Sequence, residues 1–198
     1  MLTVTYALVT LSVEQKKSRS NLSSLRQQIQ LCAEKHGTTD RSFIESILYQ
    51  LVQFDEACRW RNLELYVIPA LARATTEAQA LIAELELLSS TGESILRSVR
   101  SRLWQAYEQG SDGIKELCSA MDRYCHSLCQ RLAKEEEELL PMAQRVISND
   151  EWFDIAAQFI SHDAETHAHK PVAPDVRFGA RSRATFATRV AKLYQVAG

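Results

Sequence analysis

Apolar residues recur along this chain at three- and four-residue intervals, the period of a helix that buries one face. Over residues 5–34 the stripe passes through Leu22, Leu25, Ile29 and Cys32 between Ser, Arg and Gln, and predicts a first helix that ends at His36-Gly-Thr-Thr-Asp. A second stripe, Ile47, Leu51, Phe54, Cys58, Leu65 and Ile68, predicts a helix reaching to Ala74. Asp40 or Ser42 can cap it, Ser42 with Glu45 having capping-box spacing, and Pro69, which lacks an amide proton, predicts a kink near its end. The third helix starts at Thr75 or Thr76 and carries Ala80, Leu81, Leu85, Leu88, Ile95, Val99 and Trp104. It holds Gly92 in its interior at a cost of ~1 kcal/mol relative to alanine. Gln109-Gly-Ser-Asp-Gly reads as a loop. The fourth helix follows through Ile114, Leu117, Cys118, Met121, Cys125, Leu128, Leu132 and Leu139, capped by Ser111 or Asp112 and bent at Pro141. Beyond Ser148-Asn-Asp, a short helix holds Trp152, Ile155, Ala156 and Phe159, and a polar segment with two prolines leads to a last helix over Ser182–Tyr194.

Four long amphipathic helices on short loops predict an all-α protein built as an up-down four-helix bundle over residues 1–148. Residues 149–198 then form a helical extension of the same domain, packed across the bundle's outside or end. Hydrophobic residues at 45% and charged residues at 24% are globular proportions, and a net charge of −2 excludes a general nucleic-acid binder. The apolar start, Met1 to Val13, lacks a basic leading region and a small-residue cleavage site, so it is expected to be helix and not a leader. No stretch approaches the roughly 18 to 20 apolar residues that cross a bilayer. Cys32, Cys58, Cys118, Cys125 and Cys129 are an odd count in a chain too large to need staples, which predicts free thiols in a reducing, cytoplasmic compartment.

The candidate chemistry lies in two carboxylates that the stripes aim inward. Glu135 follows Leu128 and Leu132 on the buried face of the fourth helix, and Glu64 sits among Phe54, Ala57 and Ile68 in the second. An ionised carboxylate inside a helical core is costly unless a metal or a cation meets it.

These residues carry a resemblance. The run Leu132-Ala-Lys-Glu-Glu-Glu-Glu-Leu-Leu-Pro-Met-Ala through Asp150-Glu-Trp-Phe-Asp-Ile-Ala-Ala-Gln-Phe, with a weaker echo in Glu64-Leu-Tyr-Val-Ile-Pro-Ala-Leu, resembles the hemerythrin-like, or HHE cation-binding, family. That resemblance implies a four-helix bundle around a di-iron centre whose ligands include a His-x-x-x-Glu pair on each of two helices. Here Glu64 and Glu135 stand at the family's glutamate positions, but Trp60 and Arg131 occupy the histidine positions, and Arg61 adjoins Trp60. The family's single histidines on the first and third helices fall near Arg19 and Ser89. Arginine stays cationic at physiological pH and does not ligate. A normal di-iron centre, and oxygen transport with it, is therefore not expected; Arg61, Arg131 and Arg19 are expected instead to pair with Glu64 and Glu135.

The reading that follows is a degenerate hemerythrin-like protein without a cofactor, acting as a sensor, scaffold or partner-binding module and not as an enzyme. Its expected partners are a small ligand or a protein, a second copy of the chain included, with no nucleic acid and no membrane. One rival is an iron- or manganese-binding site in which Glu64 and Glu135 join Asp55, Glu56, Asp122 or His126. Another is a redox-responsive thiol protein using Cys125 and Cys129, although their i to i+4 spacing does not suit a relaxed disulfide. Cys118, Cys125 and Cys129 are otherwise core residues, Trp104 and Trp152 are core or docking residues, and His162-Asp-Ala-Glu-Thr-His-Ala-His reads as a solvated loop. No phosphate loop or Ser/His/Asp arrangement is present.

Overall fold

The computed structural model describes residues 2–34 and 40–168. Every regular element among them is helical: α1 (Leu2–Glu34), α2 (Arg41–Arg59), α3 (Ile68–Ala74), α4 (Gln79–Glu108), α5 (Ser111–Lys134), α6 (Leu140–Val146) and α7 (Asn149–Ala168). No strand occurs among the described residues, and none of their helices is long and apolar enough to cross a membrane. The chain divides into a unit Met1–Ile160 and a unit Ser161–Gly198. The expected helix over Ser182–Tyr194 lies outside the described residues, and so do His36 and His169.

Helix boundaries follow from local chemistry. The Asp40 side chain accepts from the Ser42 amide at 3.1 Å and caps α2, while Glu45 pairs with Arg41 instead of closing a capping box. Thr75 accepts from the Glu77 amide and starts the single 3₁₀ turn Thr76–Ala78 that leads into α4. Neither Ser111 nor Asp112 caps α5; Gly110 takes the cap position at φ 66°, a left-handed conformation that glycine adopts freely. The expected loop after His162 is helix, since α7 continues through Ala168 and no glycine or proline intervenes before Pro171.

The second helix departs most from expectation. It does not run unbroken to Ala74: α2 ends at Arg59, the chain turns at Trp60 and Arg61, and a π-helical turn over Leu63–Val67 joins it to α3. A matching π turn over Glu135–Leu139 joins α5 to α6. Pro69 and Pro141 each stand second in the short helix that follows a π turn. A proline ring collides with the carbonyl four residues back and offers that carbonyl no amide, and a wider turn ahead of it relieves both problems.

Within Met1–Ile160, α1 packs on α2 and α5, and α4 packs on α2 and α5, so the four helices form a ring. Their inward residues fall into two apolar clusters. One joins Leu22 to Cys32 of α1, Ile44 to Phe54 of α2, Leu96 to Ala106 of α4 and Ile114 to Leu132 of α5. The other joins Ala7 and Leu11, Leu63 to Leu71, Ala78 to Leu85, and Leu139 to Phe159, with Trp152 fully enclosed. Trp104, expected on the apolar stripe of α4, is 57% exposed, because that stripe passes one residue earlier through Leu103. Its ring lies instead under the Arg41 guanidinium, 3.8 Å from the ring centroid, a cation–π contact at the surface.

Candidate functional site

Between the two apolar clusters the inward positions turn polar. Of the buried polar residues, Gln15, Ser18, Arg61, Asn62 and Glu135 fall in the stretches that separate the two clusters on their helices, while Ser127 stands among the first cluster's residues on α5. Glu135, at 0% exposure, is the centre of this layer. The Arg61 guanidinium grips its carboxylate in a two-pronged pair, Nη2 to Oε1 at 2.7 Å and Nη1 to Oε2 at 2.8 Å. Arg131, one turn earlier on α5, donates from Nε to Oε1 at 2.8 Å, and the Gln15 amide reaches across from α1 to Oε2 at 2.6 Å. Glu64 closes the group, its Oε1 accepting from Arg61 Nη2 at 2.8 Å and from Arg131 Nη2. Two guanidinium groups and two carboxylates thus stand in direct contact with no net charge.

The break after Arg59 is what allows this. In an uninterrupted helix the residue four before Glu64 would share its face. Here that residue, Trp60, is 66% exposed, and Arg61 turns inward to 7% exposure, its Nε donating to the Cys58 carbonyl at 3.2 Å. The break also frees the Asn62 amide. Glu14 of α1 accepts from that amide at 3.2 Å and from the Asn62 side-chain amide at 2.9 Å, so a buried donor with no helical partner is satisfied from another helix.

Charge and burial oppose each other at the centre. Burial pushes the Glu135 carboxyl up, but the Arg61 and Arg131 guanidinium groups and the Gln15 amide overcome it and hold the group below the usual carboxylate range. Burial likewise works against the Arg61 cation, and Glu135 and Glu64 reverse that, leaving its pKa raised. At the edge of the layer the Tyr124 hydroxyl, pushed up by burial, donates to Asp55 at 3.0 Å, and Ser127 donates to the Leu88 carbonyl of α4 at 3.0 Å. A cavity of about 190 Å³ opens beside the cluster, lined by Cys58, Arg61, Glu64, Ser89 and Arg131 among others. The Cys58 thiol on its wall is pushed up to about 11 by burial.

The structure thus brings Glu64, Glu135, Arg61 and Arg131 together, and Ser89 lines the adjoining cavity. Arg19 does not join them. It is exposed, pairs with Glu136 at 2.6 Å and donates to the Leu132 carbonyl at 3.3 Å. The reason is register: the buried stripe of α1 runs Leu11, Gln15, Ser18, Leu22, and Arg19 stands off it. Gln15, Asn62 and Glu14 are the residues that sequence reasoning missed. The signal for Gln15 was available, as a polar residue midway along that apolar stripe; no sequence signal announced the α2 break that brings in Asn62.

The other carboxylates considered for a metal are engaged elsewhere. Asp55 takes Tyr124 and Arg59, Glu56 takes Gln53, Asp122 takes Arg26 at 3.0 Å, and His126 is exposed. Among the described residues no group of three or more His, Cys, Asp or Glu side chains comes together in an arrangement suited to a metal ion. Compared with protein families, with curated proteins and with solved structures, the chain matches none.

Proposed function

We propose that this protein is a metal-independent, hemerythrin-like four-helix bundle of up-down topology that serves as a cytoplasmic sensor or partner-binding scaffold. One observation carries the reading: the guanidinium groups of Arg61 and Arg131 lie directly against the carboxylates of Glu64 and Glu135, the two glutamates to which the family resemblance would assign the iron. Two fixed positive charges repel a divalent ion, and they take both Glu135 oxygens and Oε1 of Glu64. The cluster is a brace. It ties α1, α5 and the turn after α2 across the middle of the ring, and leaves ligand or partner recognition to the surface and to the adjoining cavity.

The test is metal content. Untagged protein purified without chelators, incubated with ferrous or manganous ion and freed of excess, is expected to hold far less than one equivalent by plasma mass spectrometry and to show a featureless visible spectrum. Near-stoichiometric iron or manganese that disappears in Glu64→Gln or Glu135→Gln would replace this reading with that of a rearranged carboxylate metal site.

A further inference from the structure

The five cysteines are scattered through the sequence, yet two of them meet. Cys32 lies near the end of α1 and Cys118 about two turns into α5, and their sulfurs stand 3.1 Å apart in the apolar cluster, one thiol donating to the other. Both are nearly solvent-free, at 1% exposure. Cys125 and Cys129, the pair the sequence favours for thiol chemistry, occupy one helix at a spacing that strains a disulfide. Cys32 and Cys118 belong to different helices whose packing already holds the sulfurs about 1 Å from bonding distance.

We propose that Cys32 and Cys118 form a thiol–disulfide switch that a small-molecule disulfide such as oxidised glutathione closes, cross-linking α1 to α5. The exchange runs in two steps. The Cys32 thiolate attacks one sulfur of the oxidant and releases one glutathione thiolate, leaving a mixed disulfide. The Cys118 thiolate then attacks the Cys32 sulfur and expels the second glutathione as a thiol. The two protein thiols lose two electrons and two protons, and the oxidant gains both.

Access sets the rate. The Cys32 contact and burial push the Cys118 thiol up, so the closed pair is protonated and a poor nucleophile. Exchange therefore proceeds through opening of the terminal turns of α1, and helix ends open far more often than helix centres. Once formed, the bond suppresses that opening and stabilises the oxidised fold by constraining the unfolded chain. The sulfur contact carries this proposal independently of the arginine–glutamate brace, and its failure would leave the brace untouched.

Non-reducing peptide mapping of the whole chain, incubated folded with oxidised glutathione, tests it. The expected result is one linked peptide pair joining Cys32 to Cys118, a fall in titratable thiols from the five of the sequence by two, and a melting midpoint raised by roughly 10 °C. Cys125→Ser and Cys129→Ser should keep the link, and Cys118→Ala should lose it while remaining helical by circular dichroism. The wild-type map decides the matter even if that last variant does not fold. A link between other cysteines, glutathione on the half-buried Cys58 or Cys129 alone, or a Cys32–Cys118 link that forms only in denaturant would each overturn the proposal.

Discussion

The polar layer and the apolar clusters on either side of it hold the same helices together by different rules. In the clusters each side chain is stabilised by leaving water and by contact with many neighbours, any one of which is replaceable. In the layer each group depends on named partners, for Glu135 is tolerable at 0% exposure only because Arg61, Arg131 and Gln15 meet it. Damage to a cluster should accordingly scale with the volume removed, whereas damage to the layer should depend on whether the remaining charges balance.

The largest effect is expected from unbalancing it. Arg61→Ala leaves Glu135 buried with one cation to face two carboxylates, and should cost about 3–5 kcal/mol. Leu51→Ala, in the apolar cluster, should cost about 2–4 kcal/mol by cavity formation. Doubling the change separates the two rules. Arg61→Met with Glu135→Leu removes one charge of each sign and leaves Arg131 with Glu64, so the pair should cost about 1 kcal/mol or less, far below either single change. Leu51→Ala with Leu71→Ala, one from each cluster, should instead add. Chemical denaturation of the two double variants and their four component single variants measures both. An additive charged pair would mean that the layer behaves as ordinary packing.

A smaller effect is expected in acid. Because the Glu135 carboxyl is held below its unfolded value of about 4.3, the stability it contributes is present above that value and is lost as pH falls through the lower folded one. Glu135→Gln cannot lose what it never had. The stability gap between wild type and this variant should stay level from pH 7 to about 5 and shrink progressively below about 4. A gap of equal size at pH 7 and pH 3 would show that the Glu135 charge does not supply the stabilisation.

The apolar rules are the ones legible in a sequence, and this chain shows where legibility stops. Stripe positions such as Leu51, Leu85 and Met121 follow from helical period alone, and so does the inward aim of Glu135. Arg131 was readable as well, being one turn from Glu135 on the same helix. Arg61 was readable only as a neighbour of the expected position, because the turn at Trp60 shifts the face by one residue and is set by tertiary partners, Glu14 and Glu135, that lie far along the chain. The same distance hides Cys32 from Cys118. Trp104 and Arg19 fail for a milder reason: each lies one residue from a buried stripe, and a helix turns by 100° per residue.

Two glycines bring the comparison to its finest scale. Gly113 sits where α5 begins, and a methyl group there would lie 2.5 Å from the Ala106 carbonyl oxygen and 2.8 Å from its Cα, both backbone atoms that cannot step aside. Gly113→Ala should therefore force α4 and α5 apart, at a cost of about 1–3 kcal/mol. Gly92, midway along α4 beside the polar layer, looks equally confined because it is buried, yet a methyl there would meet two ring carbons of Tyr124 at 3.5 Å, an ordinary contact distance. Alanine restricts the unfolded chain and is the better helix former, so Gly92→Ala should stabilise the protein by about 0.5–1 kcal/mol and raise its melting midpoint by roughly 2 °C. A lowered midpoint would mean that the Tyr124 ring cannot accept the contact without disturbing its 3.0 Å bond to Asp55, which would extend the partner-dependent behaviour of the layer to a residue with no polar side chain.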